Sequence, residues 1–298
     1  IYTGLIFFLT KYFSIKSLYF LHYFLLFICT FSIFKIFDKI FNFENLEVIV
    51  WFSLYFIVFH ENSFFAGVAG QSVINQTLQP SSFGVFFFVS LAFYLNSHLL
   101  LSIVCLCIAV YFHPTYLIHS IFFMLGYSVL DLKNKNYNKI FKQNLIFFLL
   151  IIPVVIFLYR NFIIEDTLIN NFAQKILVEE RIPHHANISH WFSYKDLISI
   201  LMIFIGLFFI RKNKSLFIVL SSITFVSLLI SFIQFYYGNY FIALLFPWRS
   251  SIFIIPITSM IILSILIKKT KFKNIMGYKS VIFFFIIIFS VFSFKSFF

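Results

Sequence analysis

Apolar residues run through this chain without alternation, and short polar breaks divide the runs. They fall near 1–10, 17–34, 47–60, 82–96, 98–112, 114–130, 144–162, 196–210, 215–235, 249–267 and 280–297. Continuous apolar stretches of this kind predict helices that cross a bilayer, because each backbone amide in lipid must be satisfied within its own segment. A membrane β-barrel needs alternating apolar and polar positions, which these runs lack. The expected fold is therefore an all-α integral membrane protein, a polytopic bundle of about 9–11 transmembrane helices.

One stretch admits two readings. Residues 98–130 could form a single helix, but at 1.5 Å per residue it would reach about 50 Å, well beyond a ~30 Å hydrocarbon core. One helix there would also place Lys35 and Lys39 on the opposite side from the other basic loops. A break at His113-Pro114 is preferred, with Pro114 in the first turn of the second helix, where its missing N–H costs nothing.

Composition agrees with the pattern. Of 298 residues, 62% are hydrophobic, 11% are charged and fifty are Phe. That excludes a soluble globular protein, which needs roughly a quarter charged residues to face water, and a disordered chain, which needs low hydrophobicity. The longest segment containing polar residues, Asn161 to Lys195, spans about 35 residues and is too short to hold a core of its own. Residues 1–298 read as one transmembrane domain, with no soluble domain. The chain starts at Ile1 rather than Met, and Ile1 to Leu9 reads as the end of a helix whose start is missing.

The net charge of +12 reflects topology rather than nucleic-acid binding. Fourteen of the twenty-two basic residues sit in the breaks at 35–46, 131–143, 211–214 and 268–279. Short loops rich in Lys and Arg face the cytoplasm. The opposite, extracytoplasmic side then carries the loops 60–81, 163–195 and 236–248 and the turn at His113. Cys29, Cys105 and Cys107 lie in apolar runs and read as small core residues.

Four polar clusters share that extracytoplasmic face. The first is His60-Glu61-Asn62 with Gln71, Asn75 and Gln79. The last three are spaced i, i+4, i+8, so a helix there would carry one polar stripe. That stripe is either a hydrogen-bonding surface for a polar substrate such as a sugar or the solvated side of an interfacial helix. The second cluster is His113-Pro114-Thr115-Tyr116, with His119 deeper in the membrane, where ionisable groups face protein or a cavity. The third is Glu179-Glu180-Arg181-Ile182-Pro183-His184-His185. Arg181 offers a bidentate fork to phosphate and the histidines can donate or transfer protons. From a loop, both could also reach one ion, so a divalent metal stays open as a cofactor and none is assigned. The fourth is Pro247-Trp248-Arg249, where Arg249 either snorkels to lipid phosphate or holds the phosphate of a lipid-linked substrate. Asn75-Gln76-Thr77 and Asn187-Ile188-Ser189 match the glycosylation sequon, a pattern that short stretches meet by chance. Nucleotide-binding, zinc-protease and serine-hydrolase motifs are missing from the sequence. No carboxylate lies in the middle of an apolar run, as ion-coupled transport would require.

With these residues in view, the chain resembles bacterial membrane proteins related to the GT-C glycosyltransferases. The resemblance rests on Gln79-Pro80-Ser81, Phe112-His113-Pro114, Arg181-x-Pro183-His184-His185 with Trp191, and Pro247-Trp248-Arg249. It implies transfer of a sugar from a polyprenyl-phosphate carrier to a cell-envelope glycan or lipid acceptor, at the extracytoplasmic face of the bacterial cytoplasmic membrane. The partners are then membrane lipid, the polyprenyl-linked sugar and the acceptor, with no nucleic acid. In such enzymes an acidic residue in the first outer loop acts as base. Glu61 is the only early outer carboxylate here and nothing matches it to that acid, so the catalytic candidates are Glu61, His184 and His185. The substrate and phosphate-binding candidates are Gln79, His113, Arg181, His184, His185 and Arg249. Two other readings remain: an envelope polysaccharide polymerase, ligase or flippase, and a transporter or structural membrane protein without catalysis.

Overall fold

The computed structural model describes residues 1–60, 66–75, 77–162 and 167–270, with backbone alone for 57–60 and 162. Fourteen α-helices follow one another among the described residues: α1 (Tyr2–Phe13), α2 (Lys16–Phe41), α3 (Asn45–His60), α4 (Val85–Leu95), α5 (Leu99–Phe112), α6 (Leu117–Lys133) and α7 (Tyr137–Phe162) in the first part. Then come α8 (Thr167–Ile176), α9 (Pro183–Ala186), α10 (Ile188–Trp191), α11 (Tyr194–Ile210), α12 (Lys214–Tyr237), α13 (Tyr240–Leu244) and α14 (Ser251–Thr270). Among the described residues there is no strand.

Among the described residues, five helical stretches are long and apolar enough to cross a membrane: Lys16–Phe41, Pro114–Lys133, Tyr137–Asn161, Lys214–Tyr237 and Tyr240–Thr270. Asn45–Phe56, Pro80–Leu95 and Leu99–Phe112 are apolar but shorter. The chain is thus an all-helical, multi-pass membrane protein. The span expected at 280–297 lies outside the described residues, as do Lys271, Lys273 and Lys279.

The break at His113 is present. His113 adopts an extended conformation, φ −142° and ψ 92°, and Pro114 opens a short 3₁₀ turn ahead of α6. A residue before proline avoids helical backbone because the proline ring crowds it. The second helix returns alongside the first. Ser90 on α4 bonds both Ser102, near the start of α5, and Tyr127, near the end of α6. Tyr94 stacks on Tyr127 at 3.8 Å and donates to Asp131, which Lys139 also reaches at 2.9 Å. This ladder of satisfied polar groups fixes the register of α4, α5 and α6.

Helix α14 is the central pillar. Every residue from Ser251 to Ile261 is buried, as expected for a helix that is apolar on all sides. It packs against α11, α3 and α2. Gly206 on α11 lets the two backbones close up: a Cβ there would lie 2.4 Å from the Thr258 Cβ. Small residues serve this purpose between membrane helices, where no hydrophobic drive separates protein from lipid. At the far end of α14, Lys268 donates to the Asn42 carbonyl at 2.9 Å and to Glu47 at 2.6 Å. From Ser251 to Lys268 the helix rises about 26 Å, close to a ~30 Å hydrocarbon core. The charged side chains beside the pillar, Arg249 and Lys268, therefore stand at its two ends. Between them the surface is apolar, with Phe148, Phe157, Phe208, Phe225 and Phe232 about half or more exposed. In water a patch that size would aggregate; lipid suits it.

Candidate functional site

The site lies at the start of α14. The chain enters that helix through a 3₁₀ turn, Pro247–Ser250, preceded by Phe246 in the left-handed region at φ 49°. A bulky residue rarely adopts this conformation, which costs on the order of 1–3 kcal/mol. The turn it creates aims two groups. The Phe246 carbonyl faces His119 Nε2 at 3.2 Å, and the Arg249 guanidinium is swung over the Phe246 ring, 4.8 Å from its centroid.

Arg249 then reaches two other segments. Its Nε donates to Gln71 Oε1 at 2.7 Å and its Nη1 to Thr115 Oγ1 at 3.3 Å. Gln71 continues to His185 Nδ1, and Thr115 continues to His113 Nε2 at 2.9 Å. A guanidinium can only donate, so Gln71 Oε1 and Thr115 Oγ1 both accept from Arg249. Gln71 presents its oxygen to Arg249 and donates its amide N–H to His185 Nδ1. His185 is therefore neutral, with its proton on Nε2. Thr115 accepts from Arg249 and shares a hydrogen bond with His113 Nε2 that either tautomer of the ring can make. Burial first, then the charges of His184 and Arg249, hold His185 below its ordinary value of 6.5, in keeping with an Nδ1 that must stay unprotonated.

Two of the four sequence clusters supply the residues that bond Arg249, which belongs to the fourth, and the third joins through His185. The loop that carries Gln71 is pinned from a distance. Ala69 and Gly70 are both left-handed, at φ 60° and 64°. Asp196, buried at the start of α11, accepts from the Ala69 N–H at 2.6 Å. Its second oxygen accepts from the Ser193 N–H at 2.8 Å and hydroxyl at 2.6 Å. Ser251 adds a hydrogen bond from the Val68 N–H at 2.9 Å.

Among the described residues no carboxylate pairs with Arg249. Two of its five N–H groups bond described residues, which leaves three without a partner among them. No group of three His, Cys, Asp or Glu converges among the described residues. What the arrangement offers, among the described residues, is a guanidinium without a carboxylate partner, held by two neutral oxygen acceptors at the start of a membrane-length helix.

The residues singled out in the sequence divide clearly. Gln71, His113, His185 and Arg249 come together, and His184 lies against His185 with ring centroids 4.1 Å apart, its side chain exposed. Gln79 does not join them. It is exposed and caps the Pro80–Gly84 turn, bonding Thr77. The helical stripe expected of Gln71, Asn75 and Gln79 does not form, because Gly70 turns the chain left-handed and Gln71 is extended. Arg181 is exposed on a single π-helical turn, Leu177–Arg181, and bonds nothing among the described residues. Glu61 lies outside the described residues, as does Gln76 of the first sequon. Asn187 of the second caps α10 by accepting from the Ser189 N–H. Thr115, named in the second cluster without a role, and Asp196, in none of the clusters, take their parts in the site from the structure. Ser193-x-x-Asp196 ahead of an apolar run is a capping box, and that signal could have marked Asp196. Comparison with family models, curated proteins and solved structures finds no match to this chain.

Proposed function

We propose that the chain is a membrane transferase that holds the phosphate of a lipid-linked substrate on Arg249, with a polyprenyl-phosphate sugar as donor and a cell-envelope glycan or lipid as acceptor. The observation that supports this is Arg249 itself. Among the described residues it is a guanidinium with three spare donors and no carboxylate partner, within reach of the neutral imidazoles of His113 and His185. A leaving phosphate gains negative charge as the sugar departs, and fixed donors aimed at that charge lower the barrier. The position agrees as well. A polyprenyl tail would lie in the membrane while its phosphate met the end of α14, on the face away from the lysine-rich end, which the positive-inside rule assigns to the cytoplasm.

The test is transfer from a radiolabelled polyprenyl-phosphate hexose by the chain in nanodiscs, with envelope glycan and lipid extracts as acceptors. Arg249→Gln is expected to slow transfer by about a hundredfold, the scale seen when one donor to a developing anion is lost. Equal rates in the two proteins overturn the assignment. Transfer only from a lipid-diphosphate oligosaccharide replaces it with a polymerase or ligase.

A further inference from the structure

Helix α8 is turned the wrong way for a helix in water. At about 100° per residue, Leu168, Ile169, Phe172, Ala173 and Ile176 share one side, an arc of about 140°. Thr167, Asn170, Asn171, Gln174 and Lys175 take the other. A helix on the surface of a soluble protein turns such an apolar side toward the core. Here Leu168, Ile169 and Phe172 are 79%, 56% and 66% exposed, whereas Asn170 and Gln174 are half-buried. An apolar side left outward in this way needs a covering other than water.

The position of α8 decides what that covering is. Helix α12 starts beside Arg211, Lys212 and Lys214 and runs to Tyr237, where Gly238 at φ 60° ends it. Helix α13 follows from Tyr240, and α8 packs against α13. Tyr240 also donates to Glu179, on the turn that continues α8. These contacts hold α8 at the level where α12 ends, on the membrane face opposite the basic loop. Tyr236, Tyr237 and Phe241 are exposed at that level, and tyrosines gather where hydrocarbon gives way to headgroups. Further along α12, Phe225, Phe232 and Phe235 form part of its lipid-facing side. Exposed apolar side chains thus extend from the length of α12 onto α13 and α8. The one cation of α8, Lys175, lies 4.0 Å from Glu179, so the helix offers its surroundings apolar area rather than charge.

We propose that α8 lies in the plane of the membrane, with Leu168, Ile169 and Phe172 sunk among the acyl chains just below the headgroups of the leaflet opposite the basic loops. The proposal does not rest on phosphate at Arg249. Helix α8 leads through the turn Leu177–Arg181 to His185, which Gln71 bonds, so the lipid contact anchors the segment that brings His185 to the Arg249 site.

The experiment reads depth in phosphatidylcholine nanodiscs that hold one chain each. Cys29, Cys105 and Cys107 are buried, so a fluorophore is attached at Phe172→Cys or, in a second protein, at Asn171→Cys. Three quenchers are compared: a lipid nitroxide near the top of the acyl chain, one at its middle, and aqueous iodide. At position 172 the nitroxide near the top should quench several-fold more than the other two, which places the fluorophore about 5–10 Å into the leaflet. At position 171 iodide should quench more than either nitroxide. Should Phe172→Cys fail to fold, Leu168→Cys on the same side gives the same reading. Iodide quenching as strong at 172 as at 171 overturns the proposal and puts the apolar side in water. Strongest quenching by the mid-chain nitroxide makes α8 part of a span, and no quenching by any of the three means that protein covers it; either result overturns the proposal. Loss of lipid quenching when two chains share a disc gives the surface to a second copy instead.

Discussion

Replacing Asp196 tests whether the site is held together from outside itself. Asp196→Ala leaves the Ala69 N–H, the Ser193 N–H and the Ser193 hydroxyl without their acceptor. A hydrogen bond to a charged group is worth about 1.5–3 kcal/mol, and a lost helix cap about 1 kcal/mol. The three bonds share one carboxylate and do not add, so a total near 3 kcal/mol is expected. Asp196→Asn keeps an oxygen for Ala69 but turns an amide N–H₂ toward the Ser193 donors, and should cost about half as much. Cys29, Cys105 and Cys107 are all buried, so thiol labelling during a temperature ramp in detergent reports unfolding. The order of midpoints should be wild type, Asn, Ala. Midpoints for Ala and wild type that agree within about 0.5 kcal/mol, the scatter of ordinary surface substitutions, would refute the reasoning.

The same logic gives three further expectations. Gly206→Ala must push α11 off Thr258 and should lower stability by about 1–3 kcal/mol, read by the same thiol assay; an unchanged midpoint means the helices do not meet there. His185 has a folded-state pKa below its unfolded value, so the unfolded chain binds more protons in the interval between them. Its contribution is complete above the unfolded value of about 6.5 and is lost as pH falls through the lowered folded value; His185→Ala should flatten that part of the stability–pH curve, and a persistent slope assigns it elsewhere. Gln71→Ala, which cuts the bonds to both Arg249 and His185, should weaken polyprenyl-phosphate binding about tenfold, the scale of one charge-assisted hydrogen bond. Arg181→Ala should leave that binding unchanged, and the reverse ranking would move the site to the α8–α9 connection.

Much of the helix layout is legible in the sequence, because apolar length and Lys/Arg breaks are local properties. The turn at His113-Pro114 is readable for the same reason, since proline restricts the residue before it whatever the surroundings. That polar clusters far apart in sequence meet is also foreseeable, since a membrane leaves polar groups only its two faces. Which member of each cluster takes part is not. Gln71 rather than Gln79 reaches Arg249 because two left-handed residues shape its loop, and a carboxylate 127 positions from Ala69 pins that loop. His185 rather than Arg181 faces inward because a π-helical turn ends at Arg181 and Pro183 starts a new one. Such choices belong to tertiary contacts, and residue spacing carries no trace of them.

The phosphate assignment at Arg249 is tested most directly by equilibrium binding of a fluorescent polyprenyl phosphate to the chain in nanodiscs, compared with Arg249→Lys and Arg249→Gln. The guanidinium fork should matter beyond its charge, so Lys should bind about tenfold more weakly and Gln about a hundredfold more weakly. Equal affinity in all three proteins would contradict the assignment and leave Arg249 as a structural clasp between Gln71 and Thr115.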